Sequence, residues 1–153
     1  MVIHCGDLFE DAKKIENITG IPVTSVRGNC DDYEGPDINT ADTPGGKILV
    51  VHGHRYGNDP LKLSYLAKEN GASAVCTGHT HIAGITEAGG VKIINPGSLS
   101  KPRDGSGGTF AIIMSEEGSI RSSIVKYDTF SSKEDSSKTR GKLRDMINYS
   151  DGF

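Results

Sequence analysis

The chain has 153 residues, 35% hydrophobic and 24% charged, with a formal net charge of −3. That is enough for one domain with its own core and not for two. No basic stripe and no apolar run of membrane-spanning length is present, which argues against sequence-independent nucleic-acid binding and against a transmembrane segment. Met1–Cys5 lacks the basic and long apolar parts of a signal peptide. Cys5, Cys30 and Cys76 form no CxxC pair, so reduced thiols in a cytoplasmic protein are expected.

Val2 to Cys5 reads as a strand closed by Gly6-Asp7. Leu8, Ala12, Ile15 and Ile18 are spaced as the apolar stripe of a helix that Gly20 stops. Ile21 to Val26 is β-branched and leads into Arg27-Gly28-Asn29-Cys30-Asp31. Asp32 to Gly46 is polar and rich in Pro and Gly, so it reads as a loop, with room for a short strand near Ile38. Lys47 to Val51 is a third strand running into His52-Gly53-His54. Asp59 is placed to cap a helix with Pro60 at its first position, an apolar face of Leu61, Tyr65 and Leu66, and Gly71 just past its end.

Ala72 to Cys76 is a fourth strand, leading to Gly78-His79-Thr80-His81. Two imidazoles at i and i+2 in an extended turn can enter one pocket. Ala83–Glu87 and Val91–Ile94 pair around Gly89-Gly90, followed by Asn95-Pro96-Gly97-Ser98. Lys101–Gly108 is a loop. Thr109–Met114 and Ile120–Lys126 alternate as a second hairpin around Glu116-Glu117-Gly118. Residues 1–128 form the domain. Residues 129–153 are a polar linker, Thr129 to Thr139, and a short terminal helix, Lys142 to Tyr149.

Helix and strand alternate in the first half, which argues for an α/β fold. In such sheets, ligands gather beyond the carboxyl ends of the strands. Four strands here end in donors: Asp7, then Asn29 and Asp31, then His52 and His54, then His79 and His81. Each cluster taken singly reads as a cap or a turn residue. Four at equivalent positions predict one shared rim. Asp, Asn and His donors suit Mn, Fe, Zn or Co better than calcium. Two metals bridged by a carboxylate clamp a phosphoryl oxygen and make hydroxide near neutral pH, the chemistry of phosphate-ester hydrolysis.

Gly6-Asp7, Gly28-Asn29-Cys30-Asp31, His52-Gly53-His54 and Gly78-His79-Thr80-His81, in this order, resemble the calcineurin-like metallophosphoesterase superfamily. Asn95-Pro96-Gly97-Ser98 fits its small bacterial and archaeal phosphodiesterases. The resemblance covers about residues 1 to 127 and implies a four-layer αββα sandwich binding two divalent metals. Manganese is the first expectation, with nickel, iron, cobalt or zinc as alternatives. It implies that Asp7 bridges the metals, that Asn29, His52 and His79 complete one site, and that His81 belongs to the other. It further implies that His54 supports the site and that Asp31 orients a neighbour. Relatives of this type are often dimers, so a homodimer is an expectation too.

The chain departs from the pattern in two places. Relatives open with a strand ending in Asp-x-His upstream of the Gly-Asp motif, and this sequence carries no such segment. The expectation is therefore an N-terminally truncated sandwich, with two ligands of the His81 site, a central strand and the first helix absent. Exposed sheet edges would then favour poor solubility or pairing with another chain. His4 is too near Asp7 to replace those ligands and reads as a strand residue. The other departure is Cys30, where much of the superfamily has a histidine taken to protonate the leaving group. A thiol is a poor general acid for an alkoxide, and this favours aryl diesters; the small phosphodiesterases commonly carry Cys here as well. Cys30 read structurally is a packing residue.

Arg103 is a candidate phosphate contact or an ordinary loop arginine. The expected function is metal-dependent phosphodiester hydrolysis by a metal-activated hydroxide, reduced by the missing motif. The alternative is an inactive remnant serving as a protein-interaction scaffold, similar to the phosphoesterase-like subunit of retromer.

Overall fold

The computed structural model describes residues 1–32 and 35–127. The expected linker and terminal helix within 129–153 lie outside the described residues, as does Tyr33.

The centre is a five-stranded sheet. Three parallel strands, β4 (Gly46–Val51), β5 (Ala74–Thr77) and β7 (Val91–Asn95), carry antiparallel β3 (Ile38–Thr43) beyond β4 and β6 (Gly84–Ala88) beyond β7. The sequence alone predicts no more than a short strand near Ile38. The six residues of β3 in fact pair along all of β4, from Ile38 opposite Val51 to Thr43 opposite Gly46. Asn39 and Asp42 hide the strand, because an edge position tolerates polar residues of weak β preference.

Strands β4 and β5 are buried on both faces, hence their unbroken apolar runs. One face carries Leu49, Val51, Val75 and Ile93 against Leu63 and Ala67 of α2 (Pro60–Glu69). The Asp59 side chain accepts the Leu61 N–H at 2.8 Å, and Pro60 opens the helix as expected. The buried face of α2, however, is Leu63, Ser64 and Ala67, not the expected stripe. Leu61 and Tyr65 are 50% and 59% exposed, and only Leu66 of the three packs against the core. The sheet lies on the opposite side of the helix from Leu61 and Tyr65, and small Ser64 and Ala67 let the helix approach it.

The opposite face carries Ala41, Ile48, Ala74, Cys76 and Ile94, covered by two separate two-stranded sheets. One is the parallel pair β1 (Val2–His4) and β2 (Val23–Ser25), which lays Ile3 and Cys5 on that core. The other is the hairpin of β8 (Gly108–Glu116) and β9 (Ser119–Tyr127), which contributes Ala111, Ile113 and Ile120. Helix α1 (Phe9–Thr19) packs on β2 from outside and completes an α–β–β–α order of layers. Of its expected stripe only Ala12 is buried. Leu8 precedes the helix in a left-handed conformation, and Ile18 is 84% exposed. No helix among the described residues is long and apolar enough to cross a membrane.

Candidate metal centre

The parallel strands β1, β2, β4 and β5 deliver their carboxyl ends to one rim, and all the candidate residues follow those ends. Glycines make the convergence possible. A Cβ on Gly28 would overlap the Asp7 carboxylate and backbone nitrogen. A Cβ on Gly6, whose φ is +90°, would lie 2.7 Å from His52 Nδ1.

Among the described residues, four non-glycine residues have positive φ: Asp7 (59°), Leu8 (66°), His79 (68°) and His81 (58°). Three of them are candidate ligands. An L-residue held there costs about 1–2 kcal/mol, and such strain persists where the surroundings impose it, characteristically at functional sites.

His52 is 2% exposed at the base of the site. Its Nδ1 lies 2.7 Å from the Cys5 carbonyl oxygen. A carbonyl only accepts, so the ring proton of the neutral form sits on Nδ1 and Nε2 presents a lone pair. That lone pair faces two further acceptors, Asn29 Oδ1 at 3.1 Å and Asp7 Oδ1 at 3.3 Å. Asn29 is oriented by its amide nitrogen, which donates to Cys30 Sγ at 3.6 Å. Its oxygen also meets His79 Nδ1 at 2.9 Å.

The other oxygen of Asp7 repeats the pattern. His81 Nδ1 lies 2.9 Å from the Lys101 carbonyl, which leaves Nε2 facing Asp7 Oδ2 at 3.3 Å. Asp7 thus stands between two acceptor groups, one at each oxygen. Acceptor facing acceptor without a proton is repulsive, and a cation between them removes the repulsion. Burial pushes the Asp7 carboxyl up, but the Cys30 backbone N–H, which donates to Asp7 Oδ1, leads the causes that hold the group below its ordinary range.

No three His, Cys, Asp or Glu side chains among the described residues converge into a metal-holding group by themselves. The fit rests on donor chemistry and needs the asparagine. Asp7, Asn29, His52 and His79 suit one divalent ion, with the ion taking the place of the His79 Nδ1 proton. On the His81 side, Asp7 and His81 supply two donors.

Asp31 accepts the backbone N–H groups of Phe9 and Gly28, both at 2.7 Å, and so fixes the turn that carries Asp7. His54 contacts neither Asp7 nor Asn29. Its ring centroid is 5.2 Å from that of His52, its Nε2 accepts from Arg55 Nε at 3.3 Å, and burial leads the causes that lower its pKa. Arg103 donates its backbone N–H to the His81 carbonyl, and the residue itself is exposed. His4 lies in β1 as expected, with burial as the main cause of its lowered pKa. Burial raises the Cys5 thiol to about 12 and the Cys76 thiol well above its ordinary value.

Sequence reasoning missed the carbonyls of Cys5 and Lys101, which set the two tautomers. It also missed the role of Asn95, whose amide donates to the Gly78 carbonyl at 3.0 Å and to Thr80 Oγ1 at 2.9 Å and so braces the histidine turn. Asp37, which gathers Arg27 and Arg55 beside the site, carried no signal because those partners come together only through folding.

Cys30 is exposed, yet its thiol pKa is raised, chiefly by the Asp7 carboxylate beside it. Alkylation of Cys30 by iodoacetamide at pH 8 is expected to run slower than that of a free cysteine and to speed up in Asp7→Asn. Equal rates in the two proteins would show that Asp7 does not control the thiol.

The calcineurin-like phosphoesterase superfamily domain matches residues 1–118. A probable metallophosphoesterase of Bacillus subtilis (strain 168) is 38% identical over 123 residues, covering 76% of this chain and 69% of that protein. The chain spans 55%, 62% and 66% of three further relatives, all probable metallophosphoesterases, from archaea and a mycoplasma. Among solved structures, a predicted phosphoesterase from Streptococcus pneumoniae TIGR4 is 27% identical, with a TM-score of 0.69 over 82% of this chain and 72% of that one. A structure described as a novel archaeal phosphodiesterase is 25% identical, with a TM-score of 0.60 over 81% and 82% of the two chains. A single mutant of Vps29 from Entamoeba histolytica is 23% identical, with a TM-score of 0.66 over 83% and 82%, a likeness of fold. With its four motifs gathered on one rim and its sequence matched over residues 1–118, this chain belongs to the calcineurin-like phosphoesterase superfamily.

Proposed function

We propose that the chain is a metal-dependent phosphodiesterase that acts at the Asp7 rim. The observation that carries this reading is the Asp7 carboxylate, with an acceptor lone pair set against each of its oxygens. Bound divalent metal would supply charge for a phosphoryl oxygen and a nucleophile ionised near neutral pH. Asp7, Asn29, His52 and His79 would hold the first ion, and Asp7 and His81 the second. The Cys5 and Lys101 carbonyls keep both imidazole lone pairs aimed inward, so no reorientation is needed on binding. Four donors against two predict one tight and one weak ion.

Cys30 stands where a proton donor to the leaving group would be. Its raised thiol pKa makes it a weaker acid still, which favours diesters whose leaving group needs no protonation. Manganese is the first metal to test. A cytoplasmic location and a homodimer remain part of this reading.

The test is hydrolysis of bis(p-nitrophenyl) phosphate by the full chain with Mn²⁺, with EDTA, and with His79→Ala. Turnover is expected only with metal, and His79→Ala should lower it by more than about 100-fold, because loss of a mere supporting contact to a ligand already costs 10–100-fold. Metal binding without turnover would overturn the enzyme reading and leave the scaffold alternative.

A further inference from the structure

A cavity of about 320 Å³ opens beside the metal centre, lined by Arg27, Asn29, Asp31, Asp32, His54 and Arg55 among others. Its volume falls at the lower end of small-ligand pockets, about 300–1,000 Å³. Asn29 belongs both to this cavity and to the Asp7 cluster, so the two adjoin.

The donors of the cavity exceed what the fold needs from them. Asp37 is gripped by Arg27 through Nε at 2.7 Å and Nη2 at 3.2 Å. Arg55 touches the same carboxylate with Nη1 at 3.1 Å, and its side chain is 49% exposed. Because Arg27 already binds Asp37 with two donors, Arg55 can turn to a ligand without stranding that carboxylate. Arg55 Nε also donates to His54 Nε2, which places the His54 proton on Nδ1. That Nδ1 is buried and has no partner.

Of the acidic residues in the cavity, Asp31 is committed to the fold and Asp32 faces solvent. Asp31 spends both oxygens on backbone N–H groups. Asp32 is exposed, where its charge is screened. A guanidinium next to a phosphoryl site suits a second phosphoryl group, whose oxygens match the guanidinium fork.

We propose that Arg55 is a specificity-determining residue that takes a second phosphoryl group of the substrate in the cavity Asn29 shares with the Asp7 cluster. The substrates selected are then compounds with two phosphoryl groups rather than simple aryl diesters. This rests on the phosphodiesterase reading, because the first phosphoryl group must sit at the Asp7 rim.

The test is calorimetric binding of two probes, AMP and adenosine 3′,5′-bisphosphate, to the Mn²⁺-loaded full chain. The wild type is expected to bind the bisphosphate at least about tenfold tighter, since a hydrogen bond to a charged group contributes enough for that factor. In Arg55→Gln the two affinities should converge, and Arg55→Lys should keep part of the preference. Arg27 still holds Asp37 in these variants, so they should fold, and thermal unfolding checks this. A bisphosphate preference that survives in Arg55→Gln, or that is missing from a wild type able to bind AMP, overturns the role of Arg55. It leaves the phosphodiesterase reading intact, provided His79→Ala loses AMP. A metal-loaded wild type that binds neither probe overturns the role of Arg55, while the phosphodiesterase reading stands or falls with the turnover of bis(p-nitrophenyl) phosphate.

Discussion

His52→Ala is expected to abolish metal-dependent hydrolysis and, in the same protein, to lower stability by about 2–4 kcal/mol, the cost of a buried cavity together with an orphaned buried acceptor. The ring is 2% exposed and lies against Gly6 and Gly78, so alanine leaves a void that backbone cannot fill. The Cys5 carbonyl loses its 2.7 Å partner. His79, by contrast, is half-buried, and its Nδ1 meets only Asn29. His79→Ala should therefore lose activity with little change in stability. Urea unfolding in EDTA separates the two variants. An equal, small loss for both would mean that His52 is not the structural base of the site.

Glycine at positions 79 and 81 is expected to give a more stable protein than alanine there, by about 1 kcal/mol at each, the cost of holding an L-residue in the left-handed region. This reverses the order found in regular structure, where alanine is the better residue. Both histidines have φ near +60°, at 68° and 58°. Each glycine or alanine variant removes the same imidazole, so the difference between the pair isolates backbone strain. Every one of these variants should bind metal weakly, with His81→Gly retaining the first ion better than His79→Gly, since His79 sits with the four-donor set. Thermal unfolding in EDTA and Mn²⁺ titration check the two halves. Alanine as stable as glycine would show that the turn carries no strain for the ligands to overcome.

Much of the site was legible because ligand chemistry is local in sequence. Gly-Asp, Gly-Asn, His-Gly-His and Gly-His-Thr-His each follow an apolar run, and parallel strands bring such ends together whatever the loops between them do. The same locality failed for β3. Asn39 and Asp42 are poor strand residues, and only the backbone groups of β4 beside them make them extended. It failed again for α2. Leu61 and Tyr65 are its larger apolar side chains, yet contact with the sheet selects Leu63 and Ala67.

The sequence by itself determined the strand ends, the glycines between them and the donor types, and through these the family. Tertiary structure decided which atom of each donor faces the site. The Cys5 carbonyl is 47 residues from His52 and the Lys101 carbonyl 20 from His81, and no spacing rule links them. Tertiary structure likewise placed Arg55 beside Asp37 and His54, next to Asn29. A hydrogen bond depends on position and direction to within a few tenths of an ångström, and only the packed chain sets those.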